Sequence, residues 1–363
     1  MQRRFVFLVC SMIILNRGAF GQGSLTPPGA PAPTMRTLAQ IEPRTPISSL
    51  PFTITAPGSY YVTSNLVGVA GSGGITIRTN NVTIDLNGFT LFGPSSGTFD
   101  DGITPNGSWS NIVIRNGKLS GWTRSGIGAG TLAHCIVEDV ISSENRLSGI
   151  VVGDSSIVQR CSARRNGLST TSQSGIWVGD GATVSDCTVS GHDGPDSIGI
   201  RADSRGMIRN CTVIENNSTN GSGISINSYG VIVNCVVTSN RGGTNNLGIY
   251  AGVNSQVKNC IVSLNSGDGI VSFDNSYIVE NECTGNTGGG INLTGNNTRV
   301  DGNHVADNGL FGIKAGVTNG GNLIIRNSSF NNPPNYSIAS GNKDAAVLTP
   351  GSAFSSTAPW ANF

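Results

Sequence analysis

The chain has 363 residues, with 12% charged and 6% aromatic side chains and a formal charge of +1. Without the three arginines of the first 21 residues the balance is 19 basic against 21 acidic, which excludes the basic surface that nucleic-acid binding needs. Apolar residues make up 37% and glycine takes 51 positions, so a continuous core forms only if apolar side chains recur at fixed intervals.

Residues 1–21 read as a secretory signal peptide. Arg3 and Arg4 form its basic start, the apolar run Phe5 to Leu15 is too short for a membrane helix, and Ala19-Phe20-Gly21 has the form of a cleavage site. A secreted, extracellular or periplasmic location follows, with display on the cell surface also open. No later segment is long and apolar enough to be a transmembrane helix. Residues 22–51 are rich in proline, with Pro27, Pro28, Pro31, Pro33, Pro43 and Pro46 between Ser24 and Pro46, and are expected to be an extended leader, with a short capping turn from Met35 to Ile41.

Residues 52–349 carry a repeat. A Gly-Ile pair recurs with its isoleucine at Ile75, Ile103, Ile127, Ile150, Ile176, Ile200, Ile224, Ile249, Ile270, Ile291 and Ile313, and Ser337-Ile338 reads as a weakened twelfth. Inside each repeat lies a second column: Asn116, Val140, Cys161, Cys187, Cys211, Cys235, Cys260, Asn281, Asn303 and Asn327, with Asn87 starting it. Five residues later comes a closing position: Asn145, Asn166, His192, Asn216, Asn240, Asn265, Asn286 and Asn308. Periods of this length mark stacked units that share one core. Within a repeat, alternation of Val257, Asn259 and Ile261 with Gln256, Lys258, Cys260 and Val262 predicts short strands with one set facing inward. The closing asparagines are expected to take the left-handed turn conformation and to bond the amide of the next coil. The expected fold is all-β: a single-stranded right-handed parallel β-helix, a solenoid of about twelve coils and on the order of 50 Å long. Residues 350–363 end it as a tail, with Trp360 and Phe363 as an apolar cap.

The Gly-Ile column together with "NCTVIEN", "NCVVTSN" and "NCIVSLN" resembles the right-handed parallel β-helix repeat of the pectate-lyase-like superfamily. The leader and first strands resemble a group of secreted bacterial β-helix proteins of unassigned function. The resemblance implies the fold and leaves the activity open, because the superfamily holds lyases, hydrolases, epimerases, adhesins and tailspikes. The Asn-Thr-Asp, paired Asp, Gly-His-Gly and Arg-Ile-Lys set of polygalacturonase-like enzymes does not occur, nor does the acid cluster of a pectate-lyase calcium site.

Cys161, Cys187, Cys211, Cys235 and Cys260 fall on one column, where stacked neighbours are spaced slightly too far apart for a disulfide. They are expected to point inward as reduced thiols, with Cys135 and Cys283 off the column. The residue after each Gly-Ile should face outward: Thr76, Thr104, Gly128, Val151, Trp177, Arg201, Ser225, Tyr250, Val271, Asn292 and Lys314. That places Trp177, Arg201 and Tyr250 on one side of the rod, with Asp203 beside them, a set suited to stacking on sugars and pairing with carboxylates. Long loops in the middle of the chain would wall this stripe. His192, Asp193 and Arg201 are candidate groups for proton transfer, and the acids near His192 leave calcium open without a clear site. Asp100 and Asp101 read as a solvated carboxylate pair remote from the other candidates. Three functions are carried forward. Polysaccharide binding without catalysis leads, a lyase or glycoside hydrolase acting on uronate polymers is the alternative, and a structural adhesin or tailspike-like module is the third.

Overall fold

The computed structural model describes residues 42–94, 97, 100–167, 173–243, 246–348 and 359–363. The predicted export signal, residues 22–41 of the leader with its predicted capping turn, and most of the tail lie outside the described residues. Every described element is a strand. A typical coil has three: Ile198–Ala202, Met207–Arg209 and Thr212–Ile214. First strands from successive coils form one 13-stranded sheet, and second and third strands together form a 24-stranded sheet. Neighbouring strands are parallel throughout, as a solenoid requires.

The Gly-Ile column is the register of the first sheet. Ile75 through Ile313 pair one above the next, and all are fully buried. The glycine has a steric reason: a Cβ on Gly199 would lie 2.5 Å from the Gly223 carbonyl oxygen and 2.4 Å from Val213 Cγ1. The column is longer than the repeat suggests, because Phe52 pairs with Ile75 below it. At the upper end Ile313 pairs with Tyr336, whereas Ile338 pairs with Ala315. The member above Ile313 is therefore Tyr336 and not Ile338.

The alternation expected through residues 256–262 breaks at Asn259. Val257, Cys260 and Val262 are buried while Lys258, Asn259 and Ile261 are exposed. Asn259 has φ 52°, and a left-handed residue bends the chain between second and third strands and resets the alternation. The same correction removes Asn116 and Asn87 from the inward column. Both are exposed left-handed residues (φ 59° and 54°), and the partner of Val140 is Gly117.

The closing asparagines do form a ladder. Asn216 Nδ2 donates to Asn240 Oδ1 at 2.8 Å, Asn240 to Asn265 at 2.9 Å, Asn265 to Asn286 at 3.0 Å and Asn286 to Asn308 at 3.0 Å. Each backbone N–H along the run reaches the same acceptor oxygen. These side chains are buried, and the left-handed residue is the one before each of them: Glu215, Ser239, Leu264, Gly285 and Asp307. The turn and the ladder are thus divided between two adjacent residues. A second ladder continues the thiol column, from Asn281 to Asn303 to Asn327, and ends on Asn362. Asn362 and Ala361 are buried against the last coils while Trp360 and Phe363 stay 52% and 41% exposed, so this end is closed by hydrogen bonding and not by aromatic rings.

All seven described cysteines are buried free thiols, and Cys161, Cys187, Cys211, Cys235 and Cys260 stack inward on successive coils.

Candidate functional site

The outward column of the first sheet carries the expected stripe. Trp177, Arg201, Ser225, Tyr250 and Val271 are register partners on consecutive coils. Trp177, Arg201 and Tyr250 are half-buried, but Ser225 and Val271 are only 8% and 7% exposed beside their taller neighbours. Arg201 lays its guanidinium over the Trp177 ring, 4.6 Å from the centroid. Asp203 holds both: its Oδ2 accepts from Trp177 Nε1 at 3.2 Å, and its Oδ1 lies 3.6 Å from Arg201 Nε. Asn227, one coil up, also donates to Asp203 Oδ1 at 3.1 Å. Tyr250 is a separate platform, packed on Phe273 with ring centroids 5.2 Å apart.

One face of Trp177 is covered by the coil above it, and its other neighbour in register is Val151. On that side opens a cavity of about 400 Å³, lined by Trp177, Val151, Thr104, Gln173, Asp101 and Arg124 among others. Asp101 Oδ2 lies 3.3 Å from Arg124 Nη1, and its Oδ1 accepts the Ser125 N–H at 2.8 Å. The carboxyl leans over Gly128, where a Cβ would approach it to 2.6 Å. Burial pushes the Asp101 carboxyl above the usual range, against the pull of the Ser125 N–H and of Arg124. Asp100 is also buried, with its oxygens accepting the N–H groups of Gly71 and Gly73. The two acids are therefore not a solvated pair: Asp100 ties down a loop and Asp101 lines the cavity. Sequence distance hid Asp101 from the site, because three coils separate its strand from that of Trp177. The available signal was Gly128, a missing side chain in the outward column.

The proton-transfer set does not assemble. His192 is 1% exposed and takes an asparagine's place in the ladder, where its Nδ1 lies 3.1 Å from the Asn166 N–H nitrogen. Its own N–H donates to Asn216 Oδ1. Burial pulls the imidazole down to about 4, and Nε2 has no partner among the described residues. Asp193 is exposed, accepts from Asn217 Nδ2 at 3.1 Å and lines a different depression with Arg165, Glu215 and Arg241. Of the three, only Arg201 lies in the Trp177 cluster. The loops after the third strands stack as well, with Asn217–Ser218 pairing to Arg241–Gly242. Among the described residues no three His, Cys, Asp or Glu side chains gather as metal ligands, and no helix is long and apolar enough to cross a membrane.

The family model described as a right handed beta helix region matches residues 101–249 and 196–350. The chain belongs to this family, and its solenoid is of the pectate-lyase-like kind. Its structure is similar to the A-module of Azotobacter vinelandii mannuronan C-5 epimerase AlgE4, with a TM-score of 0.61 at 14% identity, covering 83% of this chain and 91% of that one. The A-module of AlgE6 from the same organism gives 0.59 at 16% identity, covering 80% and 91%. A mutant of the periplasmic alginate epimerase AlgG gives 0.55 at 12%, covering 80% and 78%. At these identities the likeness is one of fold. No curated protein sequence matches the chain significantly.

Proposed function

We propose that this protein is exported and binds polysaccharide along the outer face of its first sheet, with a sugar ring seated between Trp177 and the Asp101–Arg124 pair. The observation that carries the reading is the cavity itself. One wall is a fixed aromatic ring, the opposite end is a carboxylate with a guanidinium, and its size falls in the range of small-molecule sites. Sugars present an apolar ring face and a hydroxyl rim, which these two ends complement. Three solved structures with the same fold bear the names of epimerases of mannuronan or alginate, which are polysaccharides. Binding is preferred to lyase chemistry because His192 is sealed in the core and Arg201 is held by Asp203 and Trp177.

Affinity electrophoresis through gels containing single polysaccharides tests the reading. At least one polymer should retard the protein, and Trp177→Ala should abolish that retardation. Tyr250→Ala should weaken it, as loss of a second platform on the same face. Migration unaffected by any polymer, or retardation unchanged in both variants, would reject it.

A further inference from the structure

We infer that the polymer is neutral, not a polyuronate; this rests on the binding reading above and names its substrate class. Each cation beside Trp177 already has its own carboxylate. Arg124 lies 3.3 Å from Asp101, and Arg201 lies 3.6 Å from Asp203. The carboxylates are the better buried members of both pairs: the Asp101 side chain is 6% exposed against 45% for Arg124, and Asp203 is 26% against 36% for Arg201. A uronate ring lowered into the cavity would bring its carboxylate toward the fixed Asp101 carboxylate, and neither Arg124 nor Arg201 is unopposed to receive it. Like charges juxtaposed in a partly desolvated site select against such a ligand.

A neutral ring meets the opposite situation. One hydroxyl can donate to the Asp101 carboxylate while its neighbour accepts from the Arg124 guanidinium, so the ion pair serves as an acceptor and a donor at fixed spacing. Pro105, Leu147 and Val151 supply apolar wall. Trp177 is pre-set for stacking, because Asp203 fixes its Nε1 and Arg201 backs its far face. Rigidity of this kind lowers the ordering cost of binding. Farther along the same outward column, beyond Tyr250, Val271 and Asn292, Lys314 rests its ammonium 5.3 Å from the Phe311 ring centroid. Above Arg201 it is the one cation among the described residues of this column, whereas a polyuronate would need a row of such cations.

The test uses the full chain and two panels: neutral glucan, mannan, galactan and xylan against alginate and polygalacturonate, each at low and high salt. A neutral polymer should bind with little salt dependence, since no net charge is neutralised. Asp101→Asn should weaken that binding at least about tenfold, the scale of a lost hydrogen bond to a charged group. Arg124→Gln, a change at a half-exposed side chain that leaves the core untouched, should weaken it as well, with circular dichroism unchanged. Preferential binding of alginate or polygalacturonate that fades with salt would overturn the inference and leave the polysaccharide reading standing. Neutral binding indifferent to both substitutions would overturn the placement. Failure of both panels would instead remove the reading on which the inference rests.

Discussion

His192 shows how a single residue can be legible in position and misread in role. Its spacing puts it on the closing column, where an asparagine is the rule, and the structure keeps it there. The nearby Asp193 and Asp196 suggested a polar site, yet a ladder residue points inward whatever follows it. The substitution costs the coil a hydrogen bond, because Nδ1 accepts from the Asn166 N–H while Nε2, the ring's donor, is buried with no acceptor in reach among the described residues. It also makes stability depend on pH. Burial holds the folded imidazole near a pKa of about 4, below its ordinary 6.5. Between those values the unfolded chain binds a proton that the folded chain refuses, so stability is full above pH ~6.5 and falls as the pH drops toward ~4. The loss is on the order of 3 kcal/mol, from ~1.4 kcal/mol per pH unit. His192→Asn should restore the rung, raise the melting temperature at pH ~5 and flatten the dependence on pH in this window. Chemical denaturation across pH measures it; an unchanged pH profile would contradict the buried neutral state.

At the scale of the strand and turn, the sequence made columns visible and concealed what lies between them. Gly-Ile spacing gives the first sheet, because no side chain larger than hydrogen fits where successive coils touch. The turn between second and third strands has no such signature. Its left-handed residue is Arg160, Asp186, Asn210, Asn234, Asn259 or Glu280 in successive coils, so no residue type announces the break in alternation. The thiol column was readable because its inward direction followed from the stacking itself, and the structure adds a role for the sulfurs. The Cys161 N–H lies 3.4 Å from Cys187 Sγ, and at the top of the run the Cys260 N–H passes to Asn281 Oδ1 at 3.0 Å. The cysteines are therefore a weaker version of the asparagine ladder that continues above them. Against the pull of a hydrogen bond from the coil below, the thiol above and burial push Cys211 and Cys235 up to about 12. Thiolate is the reactive form, so these thiols should resist alkylating reagents at neutral pH until denaturant is added. Cys235→Asn should be tolerated as the ladder's own residue. Cys235→Val, which removes the acceptor, should cost about 1–2 kcal/mol, and Cys235→Arg should unfold the stack. Thiol titration and melting curves read these outcomes, and disulfides found by mass spectrometry under non-reducing conditions would break the assignment.

For the whole molecule, the decisive property is that contacts run between neighbouring coils. The outer face was legible as a stripe of Trp177, Arg201 and Tyr250, but the cavity was not, since it is assembled from residues on four coils that sequence reading treats as unrelated. The same one-dimensional construction makes a strong prediction about deletion. A solenoid's stability is the sum of its coils and the interfaces between them, so removing one complete coil should leave two compatible faces. Residues 291–312 make one such unit, from Ile291 to the glycine before Ile313, its partner in the next coil. Deleting them joins Gly290 to Ile313, brings Asn286 under Asn332 and Asn281 under Asn327, and so closes both asparagine ladders across the joint. The change discards Asp301 and leaves Arg326, whose side chain is 47% exposed and remains solvated. It touches neither the Trp177 cavity nor the Tyr250–Phe273 pair. The shortened protein should fold with an unchanged β-type circular dichroism spectrum, a modestly lower melting temperature and the same polysaccharide binding. Removing one residue more, from Ile291 to Ile313, should destroy folding, because it joins Gly290 to Lys314, puts that lysine in the inward place of Ile291 and turns the strand's inward set outward. Equal behaviour of the two deletions would mean that register between coils does not hold this fold together.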